Sequence, residues 1–182
     1  MVDDYNEFDL SEFFEEEEAV NDPSYLVDGT YHIGIKEVEF PGKIDAANLR
    51  VVVLGSKDKL QVDKEFTHTV WFPNPEKPWS RDSFAKFVAS LTLATGMRKP
   101  GEFPKISLSE DWWEQLEGKQ MVAKVKGKQE SYVNDNGTTI EFTKVRIDGT
   151  KMFAIGSKEA KGVPINVEAA AEGGYVEGEG SI

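Results

Sequence analysis

Acidic residues are distributed so unevenly along this chain that they limit which part can form a folded core. Residues 1–28 contain eleven acids and no Lys or Arg, and residues 157–182 contain five acids and two bases. Residues 29–156 hold 17 acids and 19 bases, a formal charge of +2, although the whole chain carries −12. A segment of like charges repels itself and has little apolar surface to bury. We therefore expect a folded domain at 29–156, a disordered acidic leader at 1–28 and a flexible, acidic, Gly-rich tail at 157–182.

Composition excludes several classes of protein. A length of 182 residues is typical of one domain with appendages. The absence of cysteine excludes disulfides, thiolate catalysis and Cys-ligated metals. No apolar run approaches the roughly 20 residues of a membrane helix. The acidic N-terminus is unlike a secretory signal or a transit peptide, and we expect a cytoplasmic location.

Three strands are predicted in the first half of the domain. Residues 30–40 alternate between apolar and polar side chains, residues 48–54 are rich in Val, and residues 64–72 mix Thr with aromatic residues. Alternation and β-branched residues are typical of strands. Turn residues follow each of the three segments, so each strand has a predicted end.

A helix is predicted after the third strand, with Ser80 as its N-cap and Gly96 as its terminator. Apolar side chains recur on one face at Phe84, Phe87, Val88 and Leu91. A short second helix is predicted from the capping-box spacing of Ser107 and Glu110.

A hairpin is predicted in the last third of the domain. Residues 119–130 and 138–147 are strand-like, and Asn136-Gly137 between them is a strong hairpin signal. Residues 151–155 form a further short extended piece. The order of three strands, a helix and a hairpin predicts a mainly β (α+β) protein. Its expected architecture is a five-stranded, OB-like Greek-key barrel with a helical insertion between strands 3 and 4. Other α+β sheets share this order.

The residues offer little support for catalysis. His32 and His68 each lie inside a predicted strand, where a structural role is more typical than a catalytic one. No glycine pattern matches a phosphate or dinucleotide loop, and the spacing of an EF-hand is absent. We expect a protein that is not an enzyme and that has no cofactor or metal.

Basic and aromatic residues offer more support for binding single-stranded nucleic acid, which needs a basic groove and rings on which bases stack. The candidate phosphate contacts are Arg50, Lys124, Lys126, Lys128, Lys144 and Arg146. The candidate stacking rings are Trp71, Phe72, Trp79 and Tyr132. Alternating lysines are equally typical of a solvent-facing strand. Whether the basic rows of the fourth and fifth strands share a face depends on the hairpin register, which the sequence leaves open.

Three segments resemble a family of small phage-encoded proteins that are taken to be OB-fold-like single-stranded DNA-binding proteins of replication and recombination modules. The segments are the acid-rich residues 13–18, the strand entry at 27–33 and the helix-to-strand passage at 112–125. The resemblance implies a protein that coats single-stranded DNA for a recombinase, helicase or polymerase in the cytoplasm of a bacterial host. It brings no catalytic residues.

Three functional hypotheses follow. The first is sequence-nonspecific binding of single-stranded DNA, with the leader lying over the groove in its absence or docking a partner. The leader residues expected to do this are Phe8, Phe13, Phe14, Glu15, Glu16, Glu17 and Glu18. The second is an acidic interaction or DNA-mimic protein whose tails bind a basic protein. The third is a carbohydrate- or peptide-binding β module that uses Trp71 and Trp79. The preference between DNA and RNA and the oligomeric state, homo-oligomers included, stay open.

Overall fold

The computed structural model describes residues 26–42 and 45–175. Five strands form in this part of the chain: β1 (Gly29–Glu39), β2 (Ala46–Gly55), β3 (Glu65–Trp71), β4 (Gln120–Val133) and β5 (Thr139–Phe153). The helices are α1 (Pro78–Ala94), α2 (Glu110–Glu114) and α3 (Val167–Glu172), with short 3-10 turns at Lys59–Gln61 and Lys158–Ala160. None of the helices in these ranges combines the length and apolar character that crossing a bilayer requires.

The five strands form one antiparallel sheet in the order β3-β2-β1-β4-β5. The predicted mainly β fold with five strands is therefore confirmed, and α1 and α2 lie between β3 and β4 as expected. The ladder hydrogen bonds leave β3 and β5 as the two edges of the sheet.

Alternate side chains of the strands form the core, because successive residues of a strand point to opposite faces. Val51 and Val53 of β2 are fully buried, as are Ile33 of β1 and Met121 of β4. Trp113 of α2 is also fully buried, so it is a packing residue. Each large apolar side chain buried in this way contributes roughly 1.5–3 kcal/mol to folding.

The two edge strands approach each other through a histidine. The Ile147 N–H of β5 donates a hydrogen bond to Nδ1 of His68 on β3 at 3.0 Å. The His68 ring stacks on Phe87 of α1 with 4.8 Å between ring centroids. Phe87 also lies against Gly149, where an added Cβ would be only 3.1 Å from the phenyl ring. Helix α1 therefore packs where β3 and β5 converge.

The folded part starts earlier than the predicted boundary at residue 29. Leu26 is buried, and the Val27 N–H donates to Oε1 of Gln61 at 3.3 Å. Asp28 Oδ1 accepts a hydrogen bond from the Gly127 N–H at 2.6 Å. The rest of the predicted leader, including Phe8, Phe13, Phe14 and Glu15 to Glu18, lies outside the described residues.

The predicted flexible tail is wrong over residues 157–175. The side chain of Asn166 caps α3 by accepting from the Ala169 N–H at 3.1 Å, and Ala170 is buried. The Asn166 N–H also donates to Nδ1 of His32 at 3.1 Å. Small residues that look like a linker in the sequence instead let this segment pack closely on β1 and β4.

Gln120 and Tyr175 hold that segment in place. The Gln120 side chain accepts from Nε2 of His32 at 2.9 Å and donates to the Ala169 carbonyl at 2.7 Å. The Tyr175 hydroxyl accepts from the Gln120 N–H at 3.0 Å and donates to the Gln120 carbonyl at 2.8 Å. Burial lowers the pKa of His32 and raises that of Tyr175, which keeps both groups neutral in this network.

The first two helices begin at other residues than the sequence predicts. The cap of α1 is Lys77, not Ser80, because Pro78 takes the first helical position, where its missing N–H costs nothing. Ser80 Oγ donates to the Lys77 carbonyl instead, at 2.6 Å. The capping box before α2 is absent, since Ser109 occupies the cap position and makes no side-chain cap bond.

The last extended piece predicted at 151–155 is not a separate edge strand. Strand β5 continues to Phe153, which pairs with Val122 of β4. The pairing is interrupted by an irregularity, because Val125 opposes Ile147 whereas Ala123 opposes Met152. The extra residues of β5 form a bulge that includes Asp148.

Candidate nucleic-acid interface

The register of the β4–β5 hairpin brings the two basic rows together. Lys126 lies directly opposite Arg146, and Lys128 directly opposite Lys144. Directly opposed residues of an antiparallel pair project from the same face of the sheet. All four side chains are exposed. The hairpin therefore presents four cationic groups on one face, which the sequence alone left open.

Two aromatic rings lie on this same face near the hairpin tip. Tyr132 and Phe142 are 55% and 40% exposed, and their ring centroids are 6.0 Å apart at 62°. Phe142 lies opposite Glu130, two residues before Lys144. Sequence reasoning missed Phe142. It is two residues before Lys144 and four before Arg146, and this spacing places it on the same face of a strand. We call Lys126, Lys128, Lys144, Arg146, Tyr132 and Phe142 the basic face.

The basic face borders a cleft between β3 and β5. One hollow of about 560 Å³ is lined by His68, Ile147 and the basic side chains of Lys126, Lys128 and Arg146. A second, of about 480 Å³, has walls from both strands and includes the following residues: Glu65, Phe66, Thr67, Phe142, Lys144 and Val145. The first hollow includes His68 and Ile147, the two residues of the contact between β3 and β5. We call the two hollows together the β3–β5 cleft.

One of the four cations is already paired. Lys126 Nζ lies 2.9 Å from Oδ2 of Asp148 in the β5 bulge. Hydrogen bonds from Lys126 and from Thr150 hold the pKa of Asp148 well below its usual range. Within residues 26–42 and 45–175, Lys128, Lys144 and Arg146 have no ion-pair partner. These three residues are the cations available to an anionic ligand.

The pKa of His68 is shifted by the environment of the cleft. Burial, followed by the nearby charges of Arg146 and Lys144, lowers its pKa to about 4. The neutral ring is the form that accepts the Ile147 N–H through Nδ1. A proton on Nδ1 would remove this contact between the two edge strands.

The fold should therefore lose stability in acid through His68. A lowered folded-state pKa means that this contribution is complete above the unfolded value of 6.5 and is lost as the pH falls toward 4. The expected loss is about 3 kcal/mol between pH 7 and pH 4, since one pKa unit corresponds to about 1.4 kcal/mol. His68→Asn retains an acceptor but cannot titrate, and urea unfolding at both pH values should show a smaller loss. Equal losses in the two proteins would contradict the assignment.

The other predicted phosphate contacts lie away from the β3–β5 cleft. Arg50 projects from β2 and pairs with two acids, its Nη1 lying 3.6 Å from Glu37 and its Nε 3.3 Å from Glu65. Lys124 is on the same face of β4 as Lys126, but it is half-buried and lines neither hollow. Arg50 and Lys124 are therefore weaker candidates for phosphate contacts than the cations of the basic face.

The predicted stacking rings divide into two groups. Trp71 and Trp79 are exposed, at the end of β3 and in the first turn of α1, but they line neither hollow. Phe72 is half-buried, with its ring 5.4 Å from Trp113 and 6.0 Å from Phe84. Phe72 is therefore a weaker candidate stacking ring, because helix packing covers part of it.

No protein-family model matches this chain, and no curated protein matches it either. The resemblance to phage single-stranded DNA-binding proteins therefore stays a prediction. Among the residues that the structure describes, no group of three or more His, Asp or Glu side chains is placed to hold a metal ion.

Proposed function

We propose that this protein binds single-stranded DNA without sequence preference and without catalysis, through the basic face. The observation that carries the proposal is the hairpin register, which aligns Lys128, Lys144 and Arg146 beside two exposed rings. Cations that follow a strand and rings that accept bases are the two parts of a nonspecific single-strand site. Because these three cations have no ion-pair partner among the described residues, phosphate is a natural counter-ion for them.

We further propose that the sheet closes into an OB-like barrel, the architecture that commonly binds oligonucleotides. The support is the pairing of β1 with both β2 and β4, which leaves β3 and β5 as the edges that would meet. His68 of β3 is hydrogen-bonded to Ile147 of β5. Glu65 and Thr67, which precede His68 on β3, line the same hollow as Lys144, which precedes Ile147 on β5. The two edges thus run in the same direction where they meet.

In this proposal the protein acts in phage DNA replication or recombination, in the bacterial cytoplasm. It would coat or present single strands to a recombinase, helicase or polymerase, which the acidic ends would recruit. Residues 1–25 contain ten acids and no base, so they would compete with DNA for the basic face. Leu26 lines the β3–β5 cleft, so the leader leaves the folded domain beside Lys144.

Binding of the full-length protein to fluorescein-labelled oligo-dT, followed by anisotropy, tests the proposal. Affinity should fall linearly with the logarithm of salt concentration. Unlabelled oligo-dA should compete about as well as oligo-dT, because every base has a ring face to stack. The absence of binding at low salt would reject the proposal. A labelled strand is preferable to tryptophan quenching, since no tryptophan lines the cleft.

Removing the two rings should weaken binding without changing its salt dependence. One stacked base contributes roughly 1–3 kcal/mol, so Tyr132→Ala with Phe142→Ala should weaken oligo-dT binding by about 10- to 100-fold. Trp71→Ala with Trp79→Ala is the matched control and should bind like the parent. A larger loss in the control would move the stacking site to the end of β3.

Neutralising the leader should tighten binding. Replacing Glu15, Glu16, Glu17 and Glu18 with Gln removes four competing charges and should raise the affinity for oligo-dT several-fold at low salt, and less at high salt where charges are screened. Substitution is preferable to deleting residues 1–28, because Leu26 and Asp28 belong to the folded domain. Unchanged affinity at every salt concentration would show that the leader does not compete.

The concentration of acids in residues 1–25 also favours the second candidate, an acidic protein that binds a basic partner. The same four substitutions distinguish the two functions. They should abolish capture of a basic partner but strengthen capture of oligo-dT.

A further inference from the structure

An apolar groove lies on the helical insertion, between α1 and residues 98–108. Its volume is about 380 Å³, and its apolar lining includes Phe84 and Val88 of α1 and Ile106 and Leu108 of the following segment. Phe103 at its edge is 77% exposed. Exposed apolar surface of this kind in a soluble domain commonly marks a binding site. We call this feature the α1 groove.

The charges of the α1 groove have one sign. Arg81 and Arg98 are its only charged lining residues within the described chain. Arg98 is held rigidly, because its Nη2 and Nε donate to the Ala89 carbonyl at 2.8 and 3.0 Å. Its guanidinium lies 4.9 Å from the centroid of the Phe103 ring. An apolar groove flanked by two cations, of which Arg98 is held in place, fits a peptide that alternates aromatic and acidic side chains.

Residues 8–15 of this chain have that composition. They read Phe-Asp-Leu-Ser-Glu-Phe-Phe-Glu, with four apolar residues, three acids and no base. They lie outside the described residues. Eleven residues lie between Phe14 and Leu26, where the described chain begins. The twelve Cα-to-Cα steps of an extended chain across them span up to about 40 Å. A domain of this size is roughly 30–40 Å across, so the α1 groove is within reach.

We propose that the α1 groove binds residues 8–15 of the same chain, with Phe13 and Phe14 as apolar anchors and Arg81 and Arg98 pairing with the acids. A tether of this length gives the segment an effective concentration in the millimolar range. The chain's own leader therefore outcompetes a free peptide of similar composition.

Docking at the α1 groove also determines where the acidic run lies. Glu15 to Glu18 follow the anchors directly, and the chain must then return to Leu26, which shares a hollow with Lys144. The segment that follows these acids would therefore run from the α1 groove to the hollow beside Lys144. This consequence rests on the proposed function, whereas docking at the groove does not.

The absence of cysteine makes a direct test simple. In the full-length chain, Ser11→Cys is combined with Ala85→Cys at the groove, or with Asp135→Cys at the hairpin tip as the control pair. We expect intramolecular disulfide formation to be about tenfold faster for the groove pair, because docking raises the local concentration of the two thiols. Phe13→Ser with Phe14→Ser should remove this preference.

Each alternative outcome overturns the proposal. Equal rates for the two pairs would show that residues 8–15 do not occupy the α1 groove. A preference that survives the loss of Phe13 and Phe14 would exclude them as anchors. Disulfides between differently tagged copies would place the leader on a second molecule. Rates are measured without DNA, so failure of oligo-dT binding would reject the proposed function and leave this inference standing.

Discussion

Replacing Lys128, Lys144 and Arg146 with Gln is expected to weaken binding of oligo-dT by about 100-fold at roughly 0.1 M salt. These three side chains are exposed, share one face of the hairpin and have no ion-pair partner among the described residues. Each phosphate contact on a single strand contributes about 0.7 to the slope of log K against log salt. The slope should therefore fall by about 2, which anisotropy titrations at four or five salt concentrations can resolve.

A matched variant separates local contacts from net charge. Lys57, Lys86 and Lys161 are exposed and lie outside the β3–β5 cleft. Replacing them with Gln changes the net charge by the same amount and should alter the slope little. If the two triple variants bind alike, the affinity reflects the overall charge of the protein, and the basic face is not the site.

A chain that ends at Gly156 is expected to lose most of its folding stability, whereas a chain that ends at Tyr175 should unfold like the parent. The shorter chain loses the contacts of α3 with β1 and β4. His32 and Gln120 would then be left with unsatisfied polar groups, because Asn166, Ala169 and Tyr175 supply their partners. Urea unfolding followed by circular dichroism measures the difference.

The expected loss in the free energy of unfolding follows from the cost of leaving buried polar groups without partners. Each such group costs roughly 1–3 kcal/mol, so the loss should be about 3–6 kcal/mol, a large part of the 5–15 kcal/mol typical of a domain. In the full-length chain, Tyr175→Phe removes one hydroxyl and should cost about 1–3 kcal/mol. Equal urea midpoints for the chains ending at 156 and 175 would show that α3 contributes nothing to stability.

Local patterns were sufficient for most of the secondary structure. Alternation over residues 30–40 located β1, because successive strand side chains point to opposite faces, although residues 31–35 are all buried in the fold. Asn136-Gly137 located the hairpin turn, since Gly137 adopts a φ of 76° that few other residues tolerate. The capping predictions at Ser80 and Ser107 were wrong. Helix α1 begins at Pro78, which suits the first helical position, and neither Lys77 nor Ser109 makes a side-chain cap bond.

Composition was misleading where contacts are distant in sequence. Residues 157–175 are rich in small and polar side chains, and no local pattern shows that they meet β1. Gly55 shows why small residues suit this place, because a side chain there would collide with the backbone of Pro164. The partners of this segment are 134 residues away in one case, from Asn166 to His32.

The sequence by itself determined the strands, the hairpin, the position of the helical insertion and the separation of acidic ends from a mildly basic domain. Each of these depends on neighbours within a few residues, or on composition alone. Only the tertiary structure decided which basic residues act together, because strand register joins Lys128 to Lys144 and separates both from Arg50. It likewise decided that Phe72 is partly covered whereas Phe142 is open. The physical reason is that a side chain's exposure and partners depend on which elements pack against it, and those elements lie far away along the chain.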